Sequence, residues 1–478
     1  MLLVWTPGLA LMSLSASATL TVTSGLADYQ VFQRSATDTV TLRVEGEAST
    51  AGIIVATLSS DGKPLEGFEK REIAQTGGGA WKGTLHGVPL GGPYTVSLTL
   101  VGAEGNPVGE VAFKGVLVGD LWLMAGQSNM QGYGDMVNVE PPSDRVNVFR
   151  MRGQWDVAVE PLHRLHESVD RVHRGEAPMP SLDESDTATA RLQKGTGLGL
   201  PFAKQMVART GVPVGLIPCA HGGTSMTQWD PKLRGNGGDS LYGSLLGALK
   251  AVGGRIAGVL WYQGEGDSGG DQPAMYTQRF TELIQALRED AGNPNLPFYY
   301  VQIGTFAHPN KALVPGWNSI QEQQRKLEET VPNTAVVASV DLPLDDLIHI
   351  GTEGLKRLGK RLANVAIGSP SRGPRLDHLE RAPGGLRVVF REGSGKLQTP
   401  RTRVSGFTIH DASGEDLCLI YKQLVDPQNP NAVWLGLVSD PPEGAQLWYG
   451  HGLAPFCNLA DTEDMAVLVM GPIPIPKP

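Results

Sequence analysis

Ser128, Asp346 and His349 are the residues of this 478-residue chain whose types and surroundings suit them to act together. A serine hydroxyl is a poor nucleophile until a neighbouring base takes its proton. Histidine suits that task because its pKa lies near neutrality. A carboxylate can fix the imidazole tautomer and stabilise the imidazolium that forms. Asp346 and His349 stand three residues apart in DDLIHIGTEG (345–354), so one tight loop can present both. Asp345 competes as the acid, but Asp346 has the three-residue spacing. Acyl transfer also needs preorganised donors for the tetrahedral oxyanion. The backbone N–H groups of Ser128 and Gly223 and the side-chain amide of Gln263 are the candidates. Two other readings compete: Ser128, just after Gly126-Gln127, as a helix cap, and Asp346 with His349 as metal ligands. The second lacks the further His or carboxylate partners a metal site needs.

The elements that must position these residues are readable from periodicity. The apolar run Val116–Met124 stops abruptly at Ala125-Gly126 and reads as a buried strand, with GQSNM just beyond its end. Strands are also expected at VPVGLIP (212–218), IAGVLWY (256–262), 297–303 and 335–340. Helices are expected near 202–209, 241–252, 276–287, 317–327 and 354–367. This alternation from 119 to about 368 implies a mostly parallel sheet with helices on both faces. GQSNM, CAHGGTSMTQW (219–229), WYQGEGD (261–267) and DDLIHIGTEG then all fall at strand ends. Outside the carboxyl edge of such a sheet is where a site converges.

The same motifs supply candidate substrate contacts: Gln127, Asn129, His221, Trp229 and Glu265. Trp229 is a core residue by default, but its Gly-rich loop admits a sugar-stacking role. Glu265 and Asp267 resemble paired glycosidase carboxylates, but their i, i+2 spacing points them to opposite faces of an extended chain. Hydrogen-bonded loop ends fit them better. His163, His166 and His173 look like a metal cluster, and read better as part of a charged, partly solvated segment, with His163 as a possible rim residue. An ordinary α/β-hydrolase would need G-x-S-x-G and a separate acid loop, and neither is present.

Taken together, GQSNM, GGTSM-x-x-W, WYQGE-x-D and D-x-x-H in this order resemble the carbohydrate-esterase branch of the SGNH-hydrolase superfamily, which includes sialate O-acetylesterases and acetyl xylan esterases. The resemblance covers most of 119–368. It implies a three-layer α/β/α, flavodoxin-like hydrolase domain with Ser128 as nucleophile, His349 as base and Asp346 as orienting acid. It also implies an oxyanion hole of Ser128, Gly223 and Gln263, the last standing where many relatives have asparagine. No cofactor and no metal are expected. The expected substrate is an O-acetylated carbohydrate, sialic acid first, with xylan or another polysaccharide as the alternative. The non-enzyme alternative is a carbohydrate-binding protein on a decayed esterase fold, but no triad member is missing.

Length suggests about three domains. The expected boundaries are 1–18 (an apolar, Ser/Ala-rich stretch resembling a secretory signal), 19–118 (a β-sandwich), 119–370 (the esterase domain) and 371–478 (a C-terminal β domain). The N-terminal part, with DYQVFQR (28–34) near its start, resembles the sandwich that precedes the esterase domain in bacterial sialate O-acetylesterases. The first stretch implies a secreted or periplasmic protein. No other stretch is long and apolar enough to span a membrane. With a net charge of -9 and no basic run, nucleic acid is not an expected partner. Three cysteines exclude a dense disulfide framework. Cys418 and Cys457 could pair, and Cys219 reads as a core thiol.

Overall fold

The structure is a computed structural model, and it describes residues 18–368, 372–391, 395–399 and 403–477. Nearly all of the segment read as a signal lies outside the described residues. Among the described residues, no helix is long and apolar enough to cross a membrane.

The chain divides into two compact units, with Tyr29–Asp38 and everything from Leu117 onward forming the second. The first unit is antiparallel β. Thr39–Ser60 pairs with Leu20–Ser24, Arg71–Pro89 and Gly91–Val101. Its buried face carries Leu42, Val44, Ile54, Ala56, Leu58, Trp81, Leu98 and Leu100. Thr39–Ser60 is one 22-residue strand, with a register shift between Ala48 and Ala51. Gly77–Gly79 lies opposite that shift and bends its strand instead of ending it, because Gly78 and Gly79 adopt positive φ.

The strand Pro107–Gly126 changes character along its length. Up to Gly115 its residues alternate in exposure; from Val116 to Gly126 all are buried. That second half is the centre of a parallel sheet. Its neighbours are Val214–Pro218 on one side and Gly258–Tyr262 on the other. Val146–Arg150 continues the sheet beyond the former; Phe298–Val301 and Thr334–Val337 continue it beyond the latter. Gln154–Val157 adds an antiparallel edge. The DYQVFQR segment contributes Val31–Gln33, a parallel partner of Leu117–Gly119, and so belongs to this unit and not to the sandwich.

Helices Gly199–Thr210, Leu241–Ala251, Tyr276–Asp290, Val314–Thr330 and Thr352–Ala366 connect the strands. Their buried positions recur at helical spacing: Tyr276, Phe280, Leu283, Ile284 and Leu287 on one, Leu355, Leu358 and Leu362 on another. This is the expected three-layer α/β/α hydrolase architecture. The C-terminal region adds a four-stranded sheet and a three-stranded sheet around their own core, including Leu386, Phe390, Ile409, Leu435 and Leu447. This region is compact with the hydrolase sheet. Arg361, almost fully buried in the last helix, ion-pairs with Asp341 and with Asp464 of the C-terminal part.

The three cysteines are free. Cys418 is exposed and Cys457 buried, and the pair that they could have formed is not made. Burial pushes the thiols of Cys219 and Cys457 up to about 12.

Candidate active site

Parallel pairing puts the strand ends in register. Gly126 pairs with Tyr262, and Met124 with Pro218. The residues that follow, 127–128, 219–223 and 263–265, therefore leave the sheet at one edge, on either side of the central strand where the connectivity reverses direction. Gly126 makes the close approach possible: a Cβ there would stand 2.2 Å from the Tyr262 carbonyl oxygen, at φ 130°.

Ser128 opens a one-turn helix, Ser128–Gln131, and is 9% exposed. Its neighbour Asn129 builds the site. Asn129 Nδ2 donates to Glu265 Oε1 (2.9 Å) and to the Ile348 carbonyl (3.3 Å), while its Oδ1 accepts from the Ile350 N–H (3.0 Å). The residues on both sides of His349 are thus tied to the residue after Ser128. His349 stacks on Tyr133, ring centroids 4.4 Å apart. Its Nδ1 bonds Asp346 Oδ2 at 2.8 Å.

Asp346 also accepts from the N–H groups of Ile348 (3.0 Å) and His349 (2.8 Å), and Lys194 Nζ stands 3.5 Å from its Oδ2. Burial alone would raise its pKa, but the Ile348 N–H and then the His349 ring and N–H hold this carboxyl well below its usual range. Asp345 has a different task. Its Oδ2 accepts from the N–H groups of Asp135 (2.8 Å) and Thr352 (3.3 Å), tying the start of the last helix to the Gly134–Asp135 strand.

On the other side of Ser128 lies the 219–224 loop. A Cβ at Gly222 would stand 3.4 Å from Ser128 Cβ. Gly222 N–H donates to Gln131 Oε1 (2.8 Å). Gly223 has φ 70°. Among the described residues no acceptor takes the N–H of Gly223 or of Ser128. His221 is partly exposed and bonds His173.

Several expected contacts are engaged elsewhere. Gln263 is 0% exposed, and its Nε2 donates to the Thr224 carbonyl (3.2 Å) and to Asp267 Oδ2 (2.5 Å). Both amide hydrogens are occupied, which does not suit an oxyanion donor. Gln127 Oε1 accepts from the N–H groups of Gly266 (3.1 Å) and Gly264 (3.4 Å) and shapes that turn. Trp229 is 0% exposed, donates from Nε1 to Thr224 Oγ1 (3.0 Å) and packs edge-on against Trp261. A ring with no open face cannot stack on a sugar. Asn129, as above, positions loops and has no donor left for a ligand.

Glu265 lies at the floor between the two loops. Its Oε2 is buried without a hydrogen-bond partner among the described residues. Burial pushes its pKa up to about 7, against the Asn129 bond that lowers it. Asp267 bonds the Met226 N–H (2.9 Å) as well as Gln263.

The segment 164–194 is charged and partly solvated, as expected, but it has buried members. Glu167 is buried and holds Arg150 through both guanidinium arms, and His173 is buried. His163 is buried too, so it is not a rim residue. Among the described residues no group of His, Cys, Asp or Glu is arranged to hold a metal. The segment ends in Lys194–Thr196, paired with Gly134–Asp135, and this brings Lys194 to Asp346. Neither Lys194 nor Tyr133 carries a signal in the sequence that marks it for the site.

The edge of the sheet thus brings together a small-residue strand exit, a serine just beyond it and a carboxylate-bound histidine whose neighbours are tied to Asn129. The family described as carbohydrate esterase, sialic acid-specific acetylesterase, matches residues 118–368, and the chain belongs to that family of carbohydrate acetylesterases. A probable carbohydrate esterase of Arabidopsis thaliana is 30% identical over 260 residues, 52% of this chain and 90% of that protein. The solved structure of a carbohydrate acetylesterase from Xanthomonas citri is similar over 94% of this chain and 99% of its own, with a TM-score of 0.64 and 24% identity. The second likeness extends the shared fold over nearly the whole chain.

Proposed function

We propose that this chain removes O-acetyl groups from carbohydrates by a serine mechanism, with O-acetylated sialic acid as the first substrate class. Ser128 attacks the acetyl carbonyl while His349 takes its proton. The tetrahedral oxyanion accepts from the N–H groups of Ser128 and Gly223. The sugar oxygen leaves with the proton from His349, and water, activated by the same ring, hydrolyses the acetyl-enzyme. Asp346 holds the ring with its proton on Nδ1 and stabilises the imidazolium. The observation that carries this reading is the Asn129 bridge: it clamps both neighbours of the Asp346-bound His349 to the residue after Ser128. The sialic acid assignment is supported by the description of the family.

The test is acetate release from O-acetylated sialic acid, acetylated xylan and 4-nitrophenyl acetate by the parent and by Ser128→Ala. Ser128→Ala should lose on the order of 10³-fold or more on every ester, with an unchanged melting curve. Activity within tenfold of the parent would remove Ser128 from the mechanism. Release from xylan with none from sialic acid would keep the mechanism and move the substrate.

A further inference from the structure

A hydrogen-bonded chain runs to His221 from behind the 219–224 loop. Ser244 Oγ donates to Asp170 Oδ2 (2.6 Å). His173 Nε2 lies 3.1 Å from Ser244 Oγ, and His173 Nδ1 lies 3.1 Å from His221 Nδ1. The two rings stack with centroids 5.3 Å apart. Four side chains from three parts of the sequence thus form one line.

The line has only one proton order. The carboxylate of Asp170 can only accept, so the single hydroxyl hydrogen of Ser244 belongs to it. Ser244 Oγ must then accept from His173, which places the His173 hydrogen on Nε2. A neutral His173 has a bare Nδ1, and that atom accepts from His221. The His221 hydrogen is therefore on Nδ1, and its Nε2 carries a lone pair. Among the described residues none bonds that Nε2. His221 directly precedes Gly222, the residue that faces Ser128. Burial first, and then the two neighbouring histidines, pushes the His173 pKa down to about 3, in keeping with a neutral ring.

We propose that Asp170, Ser244 and His173 are positioning residues that lock His221 as a hydrogen-bond acceptor, and that His221 selects acetyl esters carrying a hydroxyl or amide N–H donor beside the ester. This rests on the esterase reading of Ser128 and names the group that its pocket recognises. Sugar rings offer hydroxyl donors in plenty. A ring free to change tautomer would accept or donate and would discriminate little. A ring with a fixed lone pair leaves an unmet acceptor when the donor is missing, and such a site rejects the deoxy analogue. Unlike His349, His221 has no carboxylate against its Nδ1 to stabilise a positive charge, so it reads the substrate and does not act as the base.

Two measurements test this on the full chain. Side-chain ¹⁵N spectra of the histidines at pH 7.5 should show the His221 hydrogen on Nδ1 and the His173 hydrogen on Nε2. The signals are assigned by their loss in His221→Gln and His173→Gln. A His221 hydrogen on Nε2 overturns the proposal, and this arm needs no catalysis. The second uses monoacetylated methyl pyranosides with the hydroxyl beside the ester present or replaced by hydrogen. The parent should prefer the hydroxyl form by about tenfold or more in kcat/KM, mainly through KM, as one hydrogen bond would give. Ser244→Ala, which frees the proton order, should bring the preference to within about threefold. No preference in the parent, or an undiminished one in a folded Ser244→Ala, overturns the proposal. Failure of the underlying esterase reading is distinguishable, because it shows instead as activity retained in Ser128→Ala.

Discussion

Two histidines flank the Ser128 turn, and each is hydrogen-bonded through Nδ1, but to different partners. His349 meets a carboxylate directly, Asp346 Oδ2 at 2.8 Å. His221 meets another histidine, and its carboxylate, Asp170, is two groups further on. The first arrangement stabilises an imidazolium; the second fixes a tautomer with no charge nearby to favour protonation. On the proposed roles, the difference separates two tasks that one residue type can do: moving a proton and reading a donor. The two sides also share a floor. Glu265 with Asn129 holds the His349 side, and Gln263 with Asp267 holds the loop after His221.

The largest expected effect breaks the comparison at its carboxylates. Asp346→Asn should lower kcat on 4-nitrophenyl acetate by roughly 10²–10⁴-fold, because asparagine favours the wrong tautomer of His349 and cannot stabilise its charge. Asp170→Asn should lower it less than tenfold. Asp345→Asn should act on the thermal midpoint, since its carboxylate holds the backbone of Asp135 and Thr352. Steady-state kinetics beside melting curves decide this, and equal losses for Asp346→Asn and Asp170→Asn would erase the distinction.

Next in size is Gln263→Ala. It removes the donor to Thr224 and leaves Asp267 with one partner fewer. A loss of stability of about 1–3 kcal/mol is expected from leaving buried groups unpaired. Activity should fall together with the thermal midpoint. A kcat loss of 10²–10³-fold at an unchanged midpoint is what an oxyanion donor would show, and that result would return Gln263 to the oxyanion hole.

Glu265→Gln sharpens the other side by its pH dependence. With a folded pKa of about 7, above its ordinary value, Glu265 keeps its proton when the unfolded chain has lost it. The folded state therefore loses stability as pH rises from about 4.5 to about 7, by up to about 3 kcal/mol. Asp346 has the opposite sign: held low, it contributes stability above its ordinary range that is lost on acidification. Glu265→Gln should remove the first decline, so urea melts should show it gaining on the parent at pH 8 relative to pH 5. An equal difference at both pH values would contradict a buried, proton-bearing Glu265.

The contrast between the histidines also marks what was legible in the sequence. Asp346 and His349 are three residues apart, and a local loop shows both their identity and their contact. The strand-end motifs were legible for a similar reason, since parallel register brings every carboxyl end to one edge. The Asp170–Ser244–His173–His221 line was not, because its members are up to 74 positions apart and His173 sits among charged neighbours. Those charges suggested solvent, but Glu167 and Arg150 neutralise each other inside the fold. The core place of Trp229 was legible, but the partners of the Gln263 amide were not: a glycine-rich loop suggests an open surface, and only packing shows that the amide bonds Thr224 and Asp267. Lys194 reaches Asp346 through an antiparallel pairing that no local pattern announces.

The central claim is that Ser128 is the nucleophile activated through the Asp346-bound His349. Its most direct measurement is the site and rate of labelling by a fluorophosphonate, followed by intact mass and peptide mapping. One phosphonyl group per chain is expected, on Ser128, with no labelling of Ser128→Ala and labelling of Asp346→Asn slowed by at least about 10²-fold. A label on another residue, or Ser128→Ala labelled as fast as the parent, would contradict it.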